Sequence, residues 1–324
     1  MTIVSRRLIC GLTLAALSVA SVGRAAAYPE RTVTLVVNSA PGGGADALAR
    51  TIAESLTGEF GQRIIVENKT GAGGNVAATQ VARAEPDGYT LFLADSGTLA
   101  INPTLYGSIP FDPQKDFEPI ARVASFAIVL AAHPSAGFKT VPELVAKAKA
   151  APGTINFAST GIGSPQHLAA ELLQSSTGIR LVHVPYRGGG PATIDLMAGH
   201  VPLGFIGIPP LAPAIREGKL VGVGVTSKSR SPLLPDVPSV AETLPDFEAR
   251  VWFGLYAPKR TPKDVLDRVQ GAMAKTMQSA AVTEMLRKQG FDAFPASPDE
   301  LRAFLTEEIA RWGEAVRKSG AKVQ

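Results

Sequence analysis

Val33-Thr34-Leu35-Val36-Val37 runs into Pro41-Gly42-Gly43-Gly44, and beyond the glycines Leu48, Ile52 and Leu56 recur at helical spacing within residues 45–60. A β-rich run, a glycine turn and an amphipathic helix in that order make one strand–turn–helix unit. The unit repeats. Residues 63–67 lead to Gly71-Ala72-Gly73-Gly74 and a helix near 75–84, closed by Pro86-Asp87-Gly88; residues 89–94 then lead to Ser96-Gly97-Thr98. Strands alternating with helices predict parallel sheets joined by right-handed crossovers.

A second series starts after a segment of different character. Residues 121–132 are apolar with few breaks, and a helix at 141–150 follows. Residues 155–159 lead to Thr160-Gly161-Ile162-Gly163-Ser164 and a helix at 165–176; residues 181–186 lead to Arg187-Gly188-Gly189-Gly190 and a helix at 191–199. Two further strands are expected at 201–207 and 220–226, with residues 213–218 between them. A proline-rich stretch, 232–245, precedes Val251-Trp252-Phe253-Gly254-Leu255-Tyr256, and the chain ends in helices near 262–279 and 298–319. Two α/β series with a late return strand predict an α/β protein of two lobes, between which the chain crosses twice. The expected first lobe is 28–128 plus 250–324, with the second, 129–249, inserted.

The amino terminus sets the compartment. Arg6 and Arg7 precede an apolar run at 8–22, and Arg24-Ala25-Ala26-Ala27 follows, so residues 1–27 read as a cleaved signal peptide with Tyr28 first in the mature chain. The apolar run, about 15 residues, is shorter than the roughly 20 that a membrane-spanning helix needs. Ser5-Arg6-Arg7-Leu8-Ile9 also fits a twin-arginine route. Export implies a periplasmic protein. Its one cysteine, Cys10, lies inside the leader, so the mature chain has no thiol or disulfide chemistry. The 32 basic against 28 acidic residues fall to 29 against 28 once Arg6, Arg7 and Arg24 leave, which removes any argument for a nucleic-acid partner. No long exposed apolar stripe is evident, and a monomer is expected.

In an open α/β sheet, ligands bind outside the carboxyl ends of the strands. The loops there are rich in Gly, Ser and Thr and nearly free of His, Glu and Lys. Such loops suit recognition by N–H and hydroxyl groups better than acid–base work. Ser164 reads as an N-cap and Pro165 as the first helical residue, so free N–H groups point into the Ser159-Thr160-Gly161-Ile162-Gly163-Ser164 loop, where an anion or water would sit. Gly42, Gly44 and Ala47 also satisfy the loose dinucleotide spacing G-x-G-x-x-A, with Glu67 about 20 residues on. Against that reading, Asp46 falls in the first helical turn, where its carboxylate competes with a pyrophosphate for the same N–H groups. His133, His167, His183 and His200 show no ligand spacing for a metal, and no cofactor is expected. His167, on the first turn of the helix after Ser164, is placed either to face the cleft or, the favoured reading, to pack or cap locally. Tyr186 and Arg187, at a strand end before three glycines, are better cleft candidates, and Asp195 on the following helix is a weaker one. Micromolar affinity needs about 8 kcal/mol beyond association costs of at least ~4, while a charge-assisted hydrogen bond nets about 1.5–3. One helix terminus cannot supply that, so loops from both lobes must converge.

The ordered set Tyr28-Pro29-Glu30-Arg31, Pro41-Gly42-Gly43-Gly44-Ala45-Asp46, Val66-Glu67-Asn68, Gly71-Ala72-Gly73-Gly74 and Pro86-Asp87-Gly88-Tyr89-Thr90-Leu91 resembles the substrate-binding receptors of tripartite tricarboxylate transporters, the Bug-type receptors. Asn102-Pro103, Phe111-Asp112-Pro113, His183-Val184-Pro185-Tyr186, Leu234-Pro235-Asp236-Val237-Pro238 and Trp252-Phe253-Gly254 continue it over nearly the whole mature chain. The resemblance implies a Venus-flytrap, periplasmic-binding-protein fold, no enzymatic activity, and a carboxylate ligand: a di- or tricarboxylate, an amino acid or an aromatic acid. It implies a transient partnership with integral-membrane transporter subunits. It further implies that Pro41, Gly43, Gly44 and Asp46 of the first loop hold a carboxylate, partly through ordered water, with Ser96, Thr98, Ser159, Thr160, Gly163 and Ser164 completing the cradle. A sensor for a membrane signalling protein and a dinucleotide-dependent or Tyr186/Asp195 acid–base enzyme are the alternatives. The chain departs from the family pattern at Thr70 and Thr243, both structural in character. Ile206-Gly207-Ile208-Pro209-Pro210 is apolar where some relatives are polar; facing the cleft, it would favour a ligand with an apolar or aromatic body.

Overall fold

A computed structural model describes residues 28–322 except Arg187. The leader, Cys10 and the Arg187 candidate lie outside the described residues.

The first α/β series begins with β1 (Val33–Val37), α1 (Gly44–Phe60), β2 (Ile64–Asn68), α2 (Asn75–Ala82), β3 (Thr90–Asp95) and the short α3 (Asn102–Leu105). Strand β1 is central, parallel to β2 on one side and β3 on the other, and Val33, Leu35, Val36 and Val37 are fully buried. Leu48, Ile52 and Leu56 form the buried stripe of α1, which ends at Gly61 in the left-handed conformation with its N–H on the Thr57 carbonyl.

Strand β4 (Phe117–Ala132) then joins two sheets. Up to Ala127 it pairs with β9 (Arg250–Pro258), and from Ile128 to Ala132 it pairs with β7 (Leu203–Gly207). Between these lie α4 (Val141–Ala150), β5 (Asn156–Ser159), α5 (Pro165–Thr177), β6 (Val182–Pro185), α6 (Gly189–Met197), α7 (Ile208–Arg216) and β8 (Val221–Val225). Strand β5 is parallel to β6 and β7, and β8 is antiparallel to β4. After β9 come α8 (Lys263–Gln278), α9 (Ala280–Lys288), β10 (Asp292–Ala296) and α10 (Pro298–Ser319). The sheets are therefore mixed. Strand β9 is antiparallel to both β3 and β4, and β10 is antiparallel to β4, because each of these strands returns from the opposite end of its sheet.

Several local expectations shift. Residues 208–216 form a helix through Pro213, since Pro209 and Pro210 occupy its first turn, where a missing N–H costs nothing. The wide 213–218 interval is thus its second half and turn. Helix α9 and strand β10 were not foreseen; α9 is strongly amphipathic, with Leu286 fully buried, and is capped by the Ser279 hydroxyl on the Val282 N–H. Helix α10 carries a reciprocal capping box between Ser297 and Glu300. It packs on β4 and also on α5, so it touches elements of both series. Its buried Glu308 accepts from Trp252 Nε1 at 2.7 Å and Trp312 Nε1 at 2.8 Å, with Arg311 at 2.7 Å for charge balance.

Candidate functional site

The carboxyl ends of β1 and β3 lie side by side in parallel register, Val37 opposite Leu93. Just beyond them Asn38 Oδ1, Ser39 Oγ and Ser96 Oγ are buried without a hydrogen-bond partner among the described residues. Ser96 as a whole is 0% exposed. A buried polar atom left unpaired costs about 1–3 kcal/mol, so three at one sheet edge mark a place where a polar molecule belongs. Helix α1 opens beside them with Gly43 at its N-cap, and no side chain caps it.

Asp46 shapes this loop from inside. Its Oδ2 accepts the Gly42 N–H at 2.9 Å, its Oδ1 accepts from Asn68 Nδ2 at 2.9 Å, and Arg50 pairs with it at 2.9 Å. Chiefly through the Arg50 hydrogen bond, the carboxyl is held down at about 2. Asp46 is therefore a charged, satisfied staple across the Pro41–Gly44 turn, and it occupies an N–H that a pyrophosphate would require. Glu67 is likewise engaged, with Gln80 at 3.2 Å and Lys69 at 2.9 Å. Thr98 is fully buried and spoken for: its hydroxyl accepts from Asn38 Nδ2 at 2.7 Å and lies 3.3 Å from the Gly73 carbonyl. It fixes the orientation of the Asn38 amide. A Cβ on Gly74, whose φ is +98°, would overlap the Thr98 hydroxyl, which explains the glycine there.

The second group of loops follows β5, β6 and β7. Ser164 caps α5, its hydroxyl accepting the His167 N–H at 3.2 Å and donating to the Gly161 carbonyl at 2.8 Å. Thr160 Oγ1 donates to Gln166 at 2.9 Å. Ser159 is fully buried, with its hydroxyl 2.6 Å from His183 Nε2. Gly163 sits at φ +72°, and a Cβ there would overlap Leu105 of α3, so this loop abuts the first series directly. Tyr186 donates to Asp195 Oδ2 at 2.7 Å, and Asp195 Oδ1 lies 3.2 Å from His200 Nδ1. Burial and the Asp195 carboxylate push the Tyr186 hydroxyl up to about 12, and the same bond lowers Asp195. A phenol moved away from neutrality and a carboxylate held ionised make a poor acid–base pair at neutral pH.

An aromatic wall connects the two loop groups. A Cβ on Gly44 would lie 3.6 Å from Phe291, the Phe291 and Phe126 rings are 5.8 Å apart, and a Cβ on Gly207 would lie 3.4 Å from Phe126. Phe253 closes the cluster at 5.7 Å from Phe291. Ile206 and Ile208 are buried in the second core, at 1% and 2% exposure, whereas Pro209 and Pro210 are exposed and Gly207 lies against Phe126. Asn38 and Ser39 are not among the residues the sequence reading singles out; their position one and two residues after β1 is the signal that marks them. Among the described residues no His, Cys, Asp and Glu group could hold a metal ion.

Two α/β sheets joined by crossing strands, with uncapped or hydroxyl-lined loops at their carboxyl ends, define a solute-binding protein of the periplasmic-binding-protein class. Residues 48–321 match the tripartite tricarboxylate transporter family receptor, and the chain belongs to that family of receptors; it is not an enzyme. It is 36% identical to Protein BugT of Bordetella pertussis strain Tohama I over 318 residues, 98% of each chain. Its fold is similar to R. palustris Rpa4515 with adipate, with TM-score 0.81, 33% identity and coverage of 91% of this chain and 100% of that one. It is also similar to MatC (Rpa3494) from Rhodopseudomonas palustris with bound malate, with TM-score 0.77, 34% identity and coverage of 89% and 100%.

Proposed function

We propose that the protein is a periplasmic receptor that closes two lobes on a small carboxylate and presents it to the membrane subunits of a tripartite tricarboxylate-type transporter. The lobes are 28–128 plus 250–324 and 129–249. The observation that carries the reading is the trio of buried, unpartnered atoms on Asn38, Ser39 and Ser96, two of them hydroxyls able to donate to an anion, beside the uncapped start of α1. The N–H groups there and the positive end of the helix dipole favour negative charge. The Ser159–Ser164 loop supplies the opposing donors, and the Phe126–Phe291 wall excludes water between them. Adipate in Rpa4515 and malate in MatC agree with a carboxylate ligand. A leader at 1–27 accounts for export, and among the described residues no helix is long and apolar enough to cross a membrane. Closure on the ligand shifts the protein toward the form a partner recognises. Titration calorimetry of wild type and Ser96→Ala with dicarboxylates tests the reading: binding that weakens several-fold in the variant supports it, and equal binding removes Ser96 from the site.

A further inference from the structure

Two imidazoles hold the two ends of the Ser159–Ser164 loop. His183 leaves β6 with its Nε2 2.6 Å from Ser159 Oγ, at the start of the loop. His167, in the first turn of α5, accepts the Gly163 N–H on Nδ1 at 3.0 Å, near the end of the loop. The rings stack face to face, with centroids 3.8 Å apart and planes 9° from parallel, and the Phe157 ring lies 4.9 Å from His183 and 6.3 Å from His167. Because Nδ1 of His167 is an acceptor, its proton sits on Nε2, which faces Glu171 at 3.5 Å. Two imidazolium cations at this separation would repel, and burial with the neighbouring ring holds His183 down at about 3. His167 is thus fixed in one tautomer by the Gly163 N–H, and burial keeps His183 neutral beside it. Between them, the loop uses the Gly161 N–H on Ser159 and the Ser164 N–H on Gly161. The Thr160 and Ile162 N–H groups have no acceptor among the described residues.

We propose that His183 and His167 are paired positioning residues that set the loop in its binding form, His183 by fixing the Ser159 hydroxyl and His167 by tethering the Gly163 N–H. This rests on the reading that the loop contacts a carboxylate. A purely packing role would be met by any side chain of similar bulk, whereas positioning requires a nitrogen or oxygen at each of the two contact points.

The test compares His183→Leu and His167→Leu with His183→Gln and His167→Asn, whose amides return a polar atom near the lost one. Hydrogen exchange in the ligand-free protein, resolved at Gly161, Gly163 and Ser164, is measured first. Tenfold or greater acceleration in the leucine variants, with recovery toward wild type in the amide variants, is expected. Calorimetry with adipate and with malate follows, with affinity at least tenfold weaker in the leucine variants and within about threefold of wild type in the amide variants. Exchange unchanged in the leucine variants overturns the proposal whatever binds. Accelerated exchange with unchanged affinity overturns its binding part. Accelerated and rescued exchange in a wild type that binds neither probe upholds the positioning of the loop and counts against the carboxylate reading instead.

Discussion

The Thr226 hydroxyl receives the Ile128 N–H at 2.9 Å and lies 2.5 Å from the Ala249 carbonyl. The Thr226 N–H donates to the Ile128 carbonyl at 2.9 Å, and its carbonyl accepts the Ala249 N–H at 2.9 Å. Ile128 is the residue at which β4 exchanges β9 for β7, and 226–249 is the segment returning to β9. One fully buried threonine thus fastens both passages of the chain between the sheets. Thr226→Val keeps the shape but strands the Ile128 N–H. The expected loss is about 1–3 kcal/mol, read as a lower urea midpoint at unchanged slope, with Thr226→Ser close to wild type.

Ser96 and Thr98 are expected to behave oppositely, although both are buried hydroxyls at the same edge. Ser96→Ala removes an atom that has no protein partner, so the melting temperature of the free protein stays level or rises while ligand affinity falls several-fold. Thr98→Val leaves Asn38 Nδ2 without its acceptor, and a loss of about 1–3 kcal/mol is expected in the free protein. Melting curves with and without ligand separate the two.

Asp46 gives an acid-side prediction. Its carboxyl is held at about 2, first by the Arg50 hydrogen bond, against an unfolded value of about 3.9. The contribution to stability is complete above pH ~4 and is lost as pH falls toward ~2. Arg50 is exposed and screened by salt, so the effect is modest. Asp46→Asn should be less stable than wild type at pH 7, with the gap closing below pH ~3, in denaturant titrations across that range.

His183 titrates in a different window. Burial is the main cause of its fall to about 3, against about 6.5 when unfolded. The unfolded chain therefore binds the proton first, and stability present above pH ~6.5 is lost on acidification toward ~3. In His183→Gln, the melting temperature should fall less between pH 6.5 and 4 than in wild type.

The strands β1 and β7 were legible because they obey simple rules: both are largely buried and read as apolar runs, and glycines lie at or close beyond their ends. Mixed strand direction was not legible, because β9 returns after a long proline-rich detour and β10 is a short edge strand containing Pro295. At the candidate site, the sequence pointed to loops but not to which of their atoms lack a partner in the fold. Thr98 and Ser96 look alike two residues apart, yet only the Thr98 hydroxyl meets Asn38, a contact across 60 residues. His183 has no partner legible in the sequence; the pairing of β5 with β6 places it against Ser159.

The most direct measurement is a thermal-shift series on residues 28–324 with adipate, malate and benzoate beside nicotinamide and adenine nucleotides, in wild type and Ser96→Ala. A ligand that binds only the folded form raises the melting temperature by mass action. The account predicts a rise with at least one carboxylate, a smaller rise in Ser96→Ala, and none with nucleotides. A rise with nucleotides alone, or a carboxylate response indifferent to Ser96, would contradict it.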